Sequence, residues 1–460
     1  MPPYLALFLC TLFVLWLLAT DRNRPAKVSL AVWIPTVWVV ILGSRAISSW
    51  FGMDVDPEAA DLEGSPLDRL VFLSLIVCAF LILRKRRVPW GSIWASNRWV
   101  FIYFLYLGIS VLWSEFPLIA FKRLFKDLGN VLMVLIVLSE ADPIEGVKTV
   151  FRRCMYLLIP TSVLLIKYFP ELAYAYDPWD WTRCLVGVCT SKNSLGGTLA
   201  VCTLFLVWEL VQGHHKKPKA LSKTEWTKGI LLLAMAIWLF VKAHSATALS
   251  CTIVGSCGFF MLSLPAVRNK LHLLSIYAVF GLCAALFLQA LFDIKGAALE
   301  MLGRDATLTG RTEIWHMVFG EKINPLLGAG YYSFFSPSRI ASFLDRYAYS
   351  VNQAHNGYIQ TYLDGGAIGV CLLVTMLWSA GKRMMRKLVA DPYWAGTRII
   401  LWFILLVYNW TEATFNRLSP LWFLLLVVMI EYPGRLRARF TTESEIKDHQ
   451  TILLTEDRVR

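Results

Sequence analysis

One long polar stretch of the chain, residues 294–365, carries the side chains best suited to chemistry. His355 lies in it, and a neutral imidazole can take a proton from a hydroxyl group near physiological pH. The same stretch contains four arginines, Arg304, Arg311, Arg339 and Arg346. A guanidinium group binds phosphate through two parallel hydrogen bonds, so two arginines facing one cavity suit a lipid-linked diphosphate. These residue types indicate a site where a hydroxyl group meets a phosphorylated lipid.

A second group of cations, Lys122, Arg123 and Lys126, lies on the short amphipathic stretch Phe121–Lys126. Each basic residue also has a simpler explanation, because long cationic side chains reach out to anionic lipid headgroups. His355 likewise has a structural alternative, as a hydrogen-bonding residue of a loop. Both explanations stay open for these side chains.

Two further pairs of residues are weaker candidates. Asp54 and Asp56 form an Asp-Val-Asp pair, but a divalent cation needs more oxygen ligands, so we expect no metal and no cofactor. Cys184 and Cys189 lie in a segment expected to face an oxidising compartment, where they either form a disulfide or remain thiols.

The composition indicates the class of protein to which these residues belong. Of the 460 residues 57% are hydrophobic and 17% are charged, whereas soluble chains have about 45–50% and about 25%. This excludes a soluble enzyme, a disordered chain and a fibrous protein. The continuous apolar runs predict an all-α polytopic membrane protein with about 12–13 transmembrane helices. In a membrane protein, Lys and Arg mark cytoplasmic loops, so we attribute the net charge of +13 to membrane topology. We therefore expect no nucleic acid as a partner.

Basic clusters alternate with acidic or mixed loops between the apolar runs. By the positive-inside rule the C-terminus is cytoplasmic and the N-terminus periplasmic. We expect an N-terminal bundle over residues 1–293, a periplasmic helical loop over 294–365, transmembrane helices over 366–432 and a cytoplasmic tail over 433–460. The thirteen runs lie at 3–20, 28–47, 69–83, 99–113, 128–140, 154–169, 194–212, 229–243, 248–265, 273–293, 366–380, 397–413 and 418–432.

The periplasmic loop is predicted to contain three short helices that form a cap on the membrane surface. The first runs from a cap at Thr309 or Gly310 through Val318, and the second starts at Ser336-Pro337. Gly328 and Gly330 supply the turn between them. The third covers Gln353–Leu363 and stops at Gly365-Gly366. It places His355 in its first turn, where the helix dipole favours the neutral imidazole.

A transporter or flippase is the alternative function class. Such proteins carry ionisable side chains in the middle of their spans, whereas here Lys167, Glu209 and Lys242 lie near span ends and the span cores are almost free of charge. This disfavours a carrier relative to catalysis at the outer face.

Several sequence blocks resemble one known family. Gly310–Trp315, Asn324–Gly330, Ala354–Gly357 and Gly365–Gly369 are similar to the shared domain of O-antigen ligases and of O-antigen or exopolysaccharide polymerases. Three further blocks resemble the exopolysaccharide-production branch: Leu112–Ser114 with Lys122-Arg123, Ser191–Gly196, and Ser245–Thr247. The resemblance covers about residues 95–430.

The resemblance implies a metal-independent glycosyltransferase in the bacterial inner membrane, with the helical fold of the lipid-sugar-dependent (GT-C-like) type. Its donor would be an oligosaccharide on undecaprenyl diphosphate and its glycan acceptor a sugar hydroxyl. Polymerase is the preferred activity, with an O-antigen ligase that transfers glycan to lipid A-core as the alternative. A chain-length regulator and a flippase are possible partners.

The resemblance also implies roles for individual residues. Arg311 and Arg123 would bind the diphosphate, and His355 would orient or deprotonate the acceptor hydroxyl. The other substrate-binding candidates are Lys192, Asn193, Asn356, Trp315 and Tyr358.

Overall fold

The computed structural model describes residues 1–22, 28–52, 65–176, 182–215, 222–268, 270, 311–347 and 351–433. Within these ranges the chain is predominantly helical, and one two-stranded antiparallel hairpin pairs β1 (Tyr174–Tyr176) with β2 (Arg183–Leu185). The longer helices are α1 (Pro3–Arg22), α2 (Trp33–Leu42), α3 (Pro66–Lys85), α4 (Trp90–Ser110), α5 (Pro117–Leu138), α6 (Pro143–Tyr168), α7 (Lys192–His215), α8 (Lys223–Ala243), α9 (Ala246–Ser263), α10 (Arg311–Phe319), α11 (Pro337–Tyr347), α12 (Gly357–Lys387), α13 (Pro392–Thr411) and α14 (Pro420–Met429). Short helical turns lie at Leu30–Val32, Ile47–Trp50, Val111–Trp113, Pro170–Ala173 and Pro265–Arg268.

Eight of the described helices are long and apolar enough to cross a membrane, namely α1, α3, α4, α6, α7, α8, α9 and α12. Two shorter apolar helical segments, Leu30–Leu42 and Pro420–Met429, coincide with further predicted runs. The prediction of an all-α, multi-pass membrane protein is therefore confirmed. The predicted run at 273–293 lies outside the described residues.

Helix α14 lies at the centre of the bundle. All ten of its residues are buried, and it packs against α2, α5, α7, α12 and α13. A helix that is apolar on every side is stable only where it is shielded from water, by lipid or, as here, by surrounding helices. Its start is set by Ser419, whose side chain accepts a hydrogen bond from Trp422 N, and by Pro420 at the first helical position.

The bundle has two different ends, which we name by their contents. The cap end carries α10 and α11, and the basic end carries the clusters expected to be cytoplasmic. Cations at the basic end form buried ion pairs: Arg152 contacts Asp21 at 2.6 Å and Glu209 at 2.8 Å. Glu209, which the sequence analysis placed near the end of a span, is therefore paired with an arginine inside the protein.

The cap confirms two of its three predicted helices. Helices α10 and α11 occur where the sequence places them, and they share a small apolar cluster that includes Ile314, Val318, Phe334 and Phe343. Thr309 and Gly310, the predicted cap residues of α10, lie outside the described residues.

The third predicted helix is wrong at both ends. It begins at Gly357, with Asn356 as its N-cap, so His355 precedes the helix and has a left-handed φ of 46°. It then runs on to Lys387 and only bends at Gly366, where φ is 62°. The domain boundary predicted at 365/366 falls inside this helix.

The bend in α12 is stabilised by the turn at residues 325–330. Gly328 and Gly330 have positive φ values of 69° and 95°, which confirms the predicted turn. Because the turn and the bend are in contact, a Cβ atom on Gly366 would lie 2.2 Å from Leu326 O. Four backbone hydrogen bonds of 2.9–3.2 Å join them: Ala329 N to Leu363 O, Gly330 N to Asp364 O, Ala367 N to Pro325 O and Ile368 N to Leu326 O. The polar groups freed by the bend are thus paired within the protein, as a membrane helix requires.

Candidate functional site

The loop that connects α13 to α14, residues 412–419, organises the cap end. Asn409, at the end of α13, accepts hydrogen bonds from Thr414 N at 2.9 Å and Phe415 N at 3.1 Å. The start of α12 lies against the same side chain, because a Cβ atom on Gly357 would be 2.3 Å from Asn409 Oδ1. The loop is therefore held in a defined position next to His355.

Glu412 connects Arg311 and His355. Arg311 Nη2 lies 2.6 Å from Glu412 Oε1, and His355 Nδ1 lies 3.4 Å from Glu412 Oε2. We call these three residues the triad. The side chains of Arg311 and Glu412 are each 9% exposed and that of His355 is 24% exposed, so only the histidine offers substantial surface to a substrate.

The triad buries Arg311, which the sequence analysis placed in the periplasmic loop as a candidate for binding the diphosphate. Its charge is neutralised by Glu412 inside the protein, so Arg311 alone adds little net positive charge to the site. Its observed role is to fix the carboxylate that faces His355. A carboxylate on Nδ1 selects the imidazole tautomer in which Nε2 carries the lone pair. Gln353 Nε2 lies 3.4 Å from this Nε2 atom.

The residues on both sides of His355 are tightly bound. Ala354 N donates to Gln360 Oε1 at 3.2 Å, and Ala354 O accepts from Trp315 Nε1 at 2.9 Å. Asn356 Oδ1 accepts from the first backbone N–H groups of α12, and Asn356 Nδ2 donates to Trp410 O at 2.9 Å. The left-handed backbone at His355 is thus held from both directions.

Three predicted substrate-binding residues have structural contacts here. Asn356 is buried and its side-chain amide is used as a helix cap. Trp315 is half-buried and bonded to the chain before His355. Tyr358 is half-buried, donates to Leu406 O and packs its ring edge-on against Phe415. Their predicted roles in binding substrate stay predictions.

Lys192 and Asn193 begin α7, also at the cap end, and both are half-buried. A Cβ atom on Gly196, one turn further along, would lie 2.5 Å from Ser245 Oγ, so α7 and α9 start side by side. Thr411 Oγ1 donates to Thr247 Oγ1 at 3.0 Å, immediately before Glu412. The Ser191–Gly196 and Ser245–Thr247 blocks therefore meet next to the triad.

A second cationic group at the cap end contains an arginine that the sequence analysis missed. The guanidinium carbons of Arg123 and Arg417 lie 4.2 Å and 4.0 Å from the ring centroid of Tyr332. We call these three residues the arginine clamp. Burial tends to lower the pKa of Arg417, but the neighbouring Tyr332 and Asp364 raise that pKa above its ordinary value, so the side chain stays charged.

Tyr331 anchors the turn that presents Tyr332. Its backbone N donates to Ser110 Oγ at 3.2 Å, and its hydroxyl lies 3.4 Å from both Asp127 Oδ2 and Asn416 O. Burial raises the pKa of Tyr331 well above its ordinary value, so its hydroxyl remains a donor. Asp127 is a buried acid that the sequence analysis missed, just before the apolar run predicted at 128–140.

The remaining arginines of the cap bind the cap itself. Arg339 donates to Phe334 O and Ser333 O, and Arg346 pairs with Glu321 at 2.5 Å. These contacts favour the structural explanation for both. Arg304 lies outside the described residues.

The other weak candidates can be placed only in part. Cys184 and Cys189 are both free thiols, and Cys189 Sγ donates to Gly43 O at 3.2 Å. Within the described ranges no group of three or more His, Cys, Asp or Glu side chains is arranged to hold a metal ion. Asp54 and Asp56 lie outside those ranges.

Comparison with known proteins supports the resemblance seen in the motifs. A family model described as O-antigen ligase matches residues 229–374, which include Arg311, Tyr332 and His355. The chain is also 27% identical over 321 residues to the exopolysaccharide production protein ExoQ of Rhizobium meliloti (strain 1021), covering 68% of this chain and 70% of that protein. The predicted resemblance is therefore confirmed: this multi-pass membrane protein carries a segment matched by the O-antigen ligase family and is similar to an exopolysaccharide production protein.

Proposed function

We propose that this protein is a glycosyltransferase of polysaccharide biosynthesis that polymerises glycan repeat units carried on undecaprenyl diphosphate. The reaction would take place at the cap end, on the periplasmic face of the inner membrane. The observation that carries the proposal is the triad, in which a buried ion pair holds a carboxylate against a partly exposed histidine. The similarity to ExoQ supports the choice of polysaccharide production.

The chemistry assigned to His355 is that of a general base. The hydroxyl oxygen of the acceptor sugar attacks the anomeric carbon of the donor glycan and forms the new glycosidic bond. The bond from that carbon to the diphosphate oxygen breaks, and undecaprenyl diphosphate leaves with the electron pair. The hydroxyl proton passes to His355 Nε2, and Glu412 stabilises the imidazolium through Nδ1.

The energy for transfer comes from the donor, because its diphosphate is a good leaving group. Cations at the cap end would stabilise the charge that develops on the diphosphate, and Arg123, whose guanidinium carbon lies 4.2 Å from the Tyr332 ring centroid, is the predicted residue for this role. Arg311 acts through Glu412. We therefore expect transfer to need neither nucleotide nor divalent metal.

An O-antigen ligase activity is the second candidate, because the matching family model carries that description. The same base and diphosphate site would serve both reactions, which differ only in the acceptor. A polymerase adds glycan to a second lipid-linked glycan, whereas a ligase adds it to lipid A-core. A flippase and a chain-length regulator would be partners of the polymerase.

Reconstitution in liposomes tests the proposal. Purified full-length protein is given undecaprenyl-diphosphate-linked glycan, with and without lipid A-core, in the presence of a chelator and without ATP. Longer glycans on the lipid carrier support the polymerase, and transfer to lipid A-core supports the ligase. Movement of the glycan lipid across the bilayer without either product would refute both and support a carrier.

A further inference from the structure

We propose that Arg383 and Arg398, at the basic end of the bundle, form a binding site for a phosphate group, carried by the headgroup of an anionic phospholipid. We call these two residues the arginine pair. Helix α12 has 31 residues, or roughly 45 Å of helix; the triad adjoins its start, whereas Arg383 lies near its other end. The inference therefore goes beyond the proposed function and does not depend on it.

The arginine pair converges on the last turn of α14. Arg398 Nε, from α13, donates to Val428 O at 2.6 Å, and Arg383 Nη2, from α12, donates to Met429 O at 3.2 Å. Cationic side chains are favoured at a helix C-terminus, where backbone carbonyl groups lack partners within the helix. Because the two carbonyl groups belong to consecutive residues, the two guanidinium groups lie next to each other.

Each guanidinium group keeps one nitrogen without an acceptor. Arg398 Nη1 pairs with Glu431 Oε1 at 2.7 Å, and Arg383 Nη1 donates to Ser379 Oγ at 2.9 Å. Arg398 Nη2 and Arg383 Nε are also buried, but within the described ranges neither has a hydrogen-bond partner. Arg398 is only 3% exposed, and a buried N–H group without an acceptor is destabilising. A ligand that supplies acceptor oxygens would therefore be stabilised here.

The charges around the arginine pair favour an anion as that ligand. Glu431 Oε2 also lies 2.5 Å from Lys387 Nζ, so one carboxylate serves Arg398 and Lys387 together. In the described part of the chain, no second carboxylate lies within 4.0 Å of the arginine pair or Lys387. A water molecule could accept the free N–H groups but would leave this positive charge unbalanced. A phosphate group both accepts hydrogen bonds from arginine and balances its charge.

The position of the site in the bundle favours a lipid as the source of the phosphate. Helix α12 is long and apolar enough to cross a membrane, and its side chains Val374 and Trp378 are exposed. These side chains are available to contact lipid acyl chains. Arg383 follows them near the end of the span and is itself half-buried, so a ligand can reach it from the surface. Headgroup phosphates lie at this depth, and basic residues at span ends attract anionic lipids.

A binding assay tests the site. Phosphatidylglycerol, phosphatidylcholine and inorganic phosphate are titrated separately into full-length protein in neutral detergent micelles, and the apparent dissociation constant and the melting temperature are measured. The variants are Arg383→Gln and Arg383→Lys. Arg386→Gln is the matched control, because it removes the same charge from an exposed position of the same helix.

We expect wild type and Arg386→Gln to bind phosphatidylglycerol more tightly than the zwitterionic phosphatidylcholine. Arg383→Gln should weaken phosphatidylglycerol binding about 10- to 100-fold, the loss typical of a hydrogen bond to a charged group. Arg383→Lys keeps the charge but loses the planar fork, so it should weaken binding by about tenfold. Phosphatidylglycerol should also raise the melting temperature less in both variants than in wild type, because a ligand that binds only the folded state stabilises it.

Equal binding of phosphatidylglycerol by folded Arg383→Gln and Arg386→Gln would overturn the site, as would equal affinity of wild type for the two lipids. Arg383→Lys decides in the same way if the glutamine variant does not fold. Inorganic phosphate that displaces the lipid, and whose own binding is lost in the same variants, would keep the phosphate site but overturn the lipid as its source. None of these measurements involves glycan transfer, so failure of the proposed function would leave the result unchanged.

Discussion

Replacing Glu412 by glutamine should reveal how the triad works. The change keeps the size of the side chain but removes the charge between Arg311 and His355. Loss of the carboxylate leaves His355 without its orienting partner. General base catalysis contributes about 10²–10⁴-fold, and His355 itself remains, so we expect transfer to slow by about 10²-fold, or about 3 kcal/mol of transition-state stabilisation.

The same change should also lower stability, and the two effects can be separated. Arg311 Nη2 and Glu412 Oε1 are 2.6 Å apart and both side chains are 9% exposed, so Glu412→Gln strands a nearly buried cation. Breaking a buried pair costs about 3–5 kcal/mol, whereas replacing both members by apolar residues is often neutral. We therefore expect the double variant Arg311→Met, Glu412→Leu to regain the melting temperature that Glu412→Gln loses.

Activity should not return with stability. The assay measures polymer length in a complemented deletion strain beside protein abundance in the membrane fraction, with thermal unfolding of purified protein. Glu321→Gln is the control, because its partner Arg346 is 46% exposed and solvent-exposed ion pairs contribute little to stability. Wild-type polymer from the stable double variant would refute the positioning role of Glu412.

Three further changes test the site, the bend and the topology. His355→Asn keeps a residue type that tolerates the left-handed backbone. It should reduce polymer about 10²–10⁴-fold at equal membrane abundance, and normal polymer would remove His355 from the mechanism. Gly366→Ala places a Cβ atom 2.2 Å from Leu326 O and should lower abundance and melting temperature, whereas Gly91→Ala, with no neighbour within 4 Å of its added Cβ, should change neither. Equal stability of the two glycine variants would contradict the contact at the bend. With exposed native cysteines removed, Leu326→Cys should react with an impermeant thiol reagent in intact spheroplasts and Val389→Cys should not; both positions are exposed, so the reverse pattern would invert the predicted orientation.

The amino-acid sequence by itself determined the class of fold and most of its helices. Long apolar runs can be stable only as membrane-spanning or fully surrounded helices, so composition and run length were sufficient. Local signals were also sufficient for α10, for the start of α11 at Pro337 and for the turn at Gly328 and Gly330. The motifs around His355 predicted the resemblance to the O-antigen ligase family that the comparison found.

Only the tertiary structure decided the state of the site. Arg311 and Glu412 are 101 residues apart in sequence, so no local pattern shows that they pair or that Arg311 is buried. Arg417 and Arg123 both contact the ring of Tyr332, which lies on a segment far from each of them in sequence. In the sequence, Gly365-Gly366 is equally typical of the end of a helix and of a bend within a helix. It becomes a bend because the 325–330 turn supplies hydrogen bonds to the freed backbone groups, and such pairing depends on which segments packing brings together.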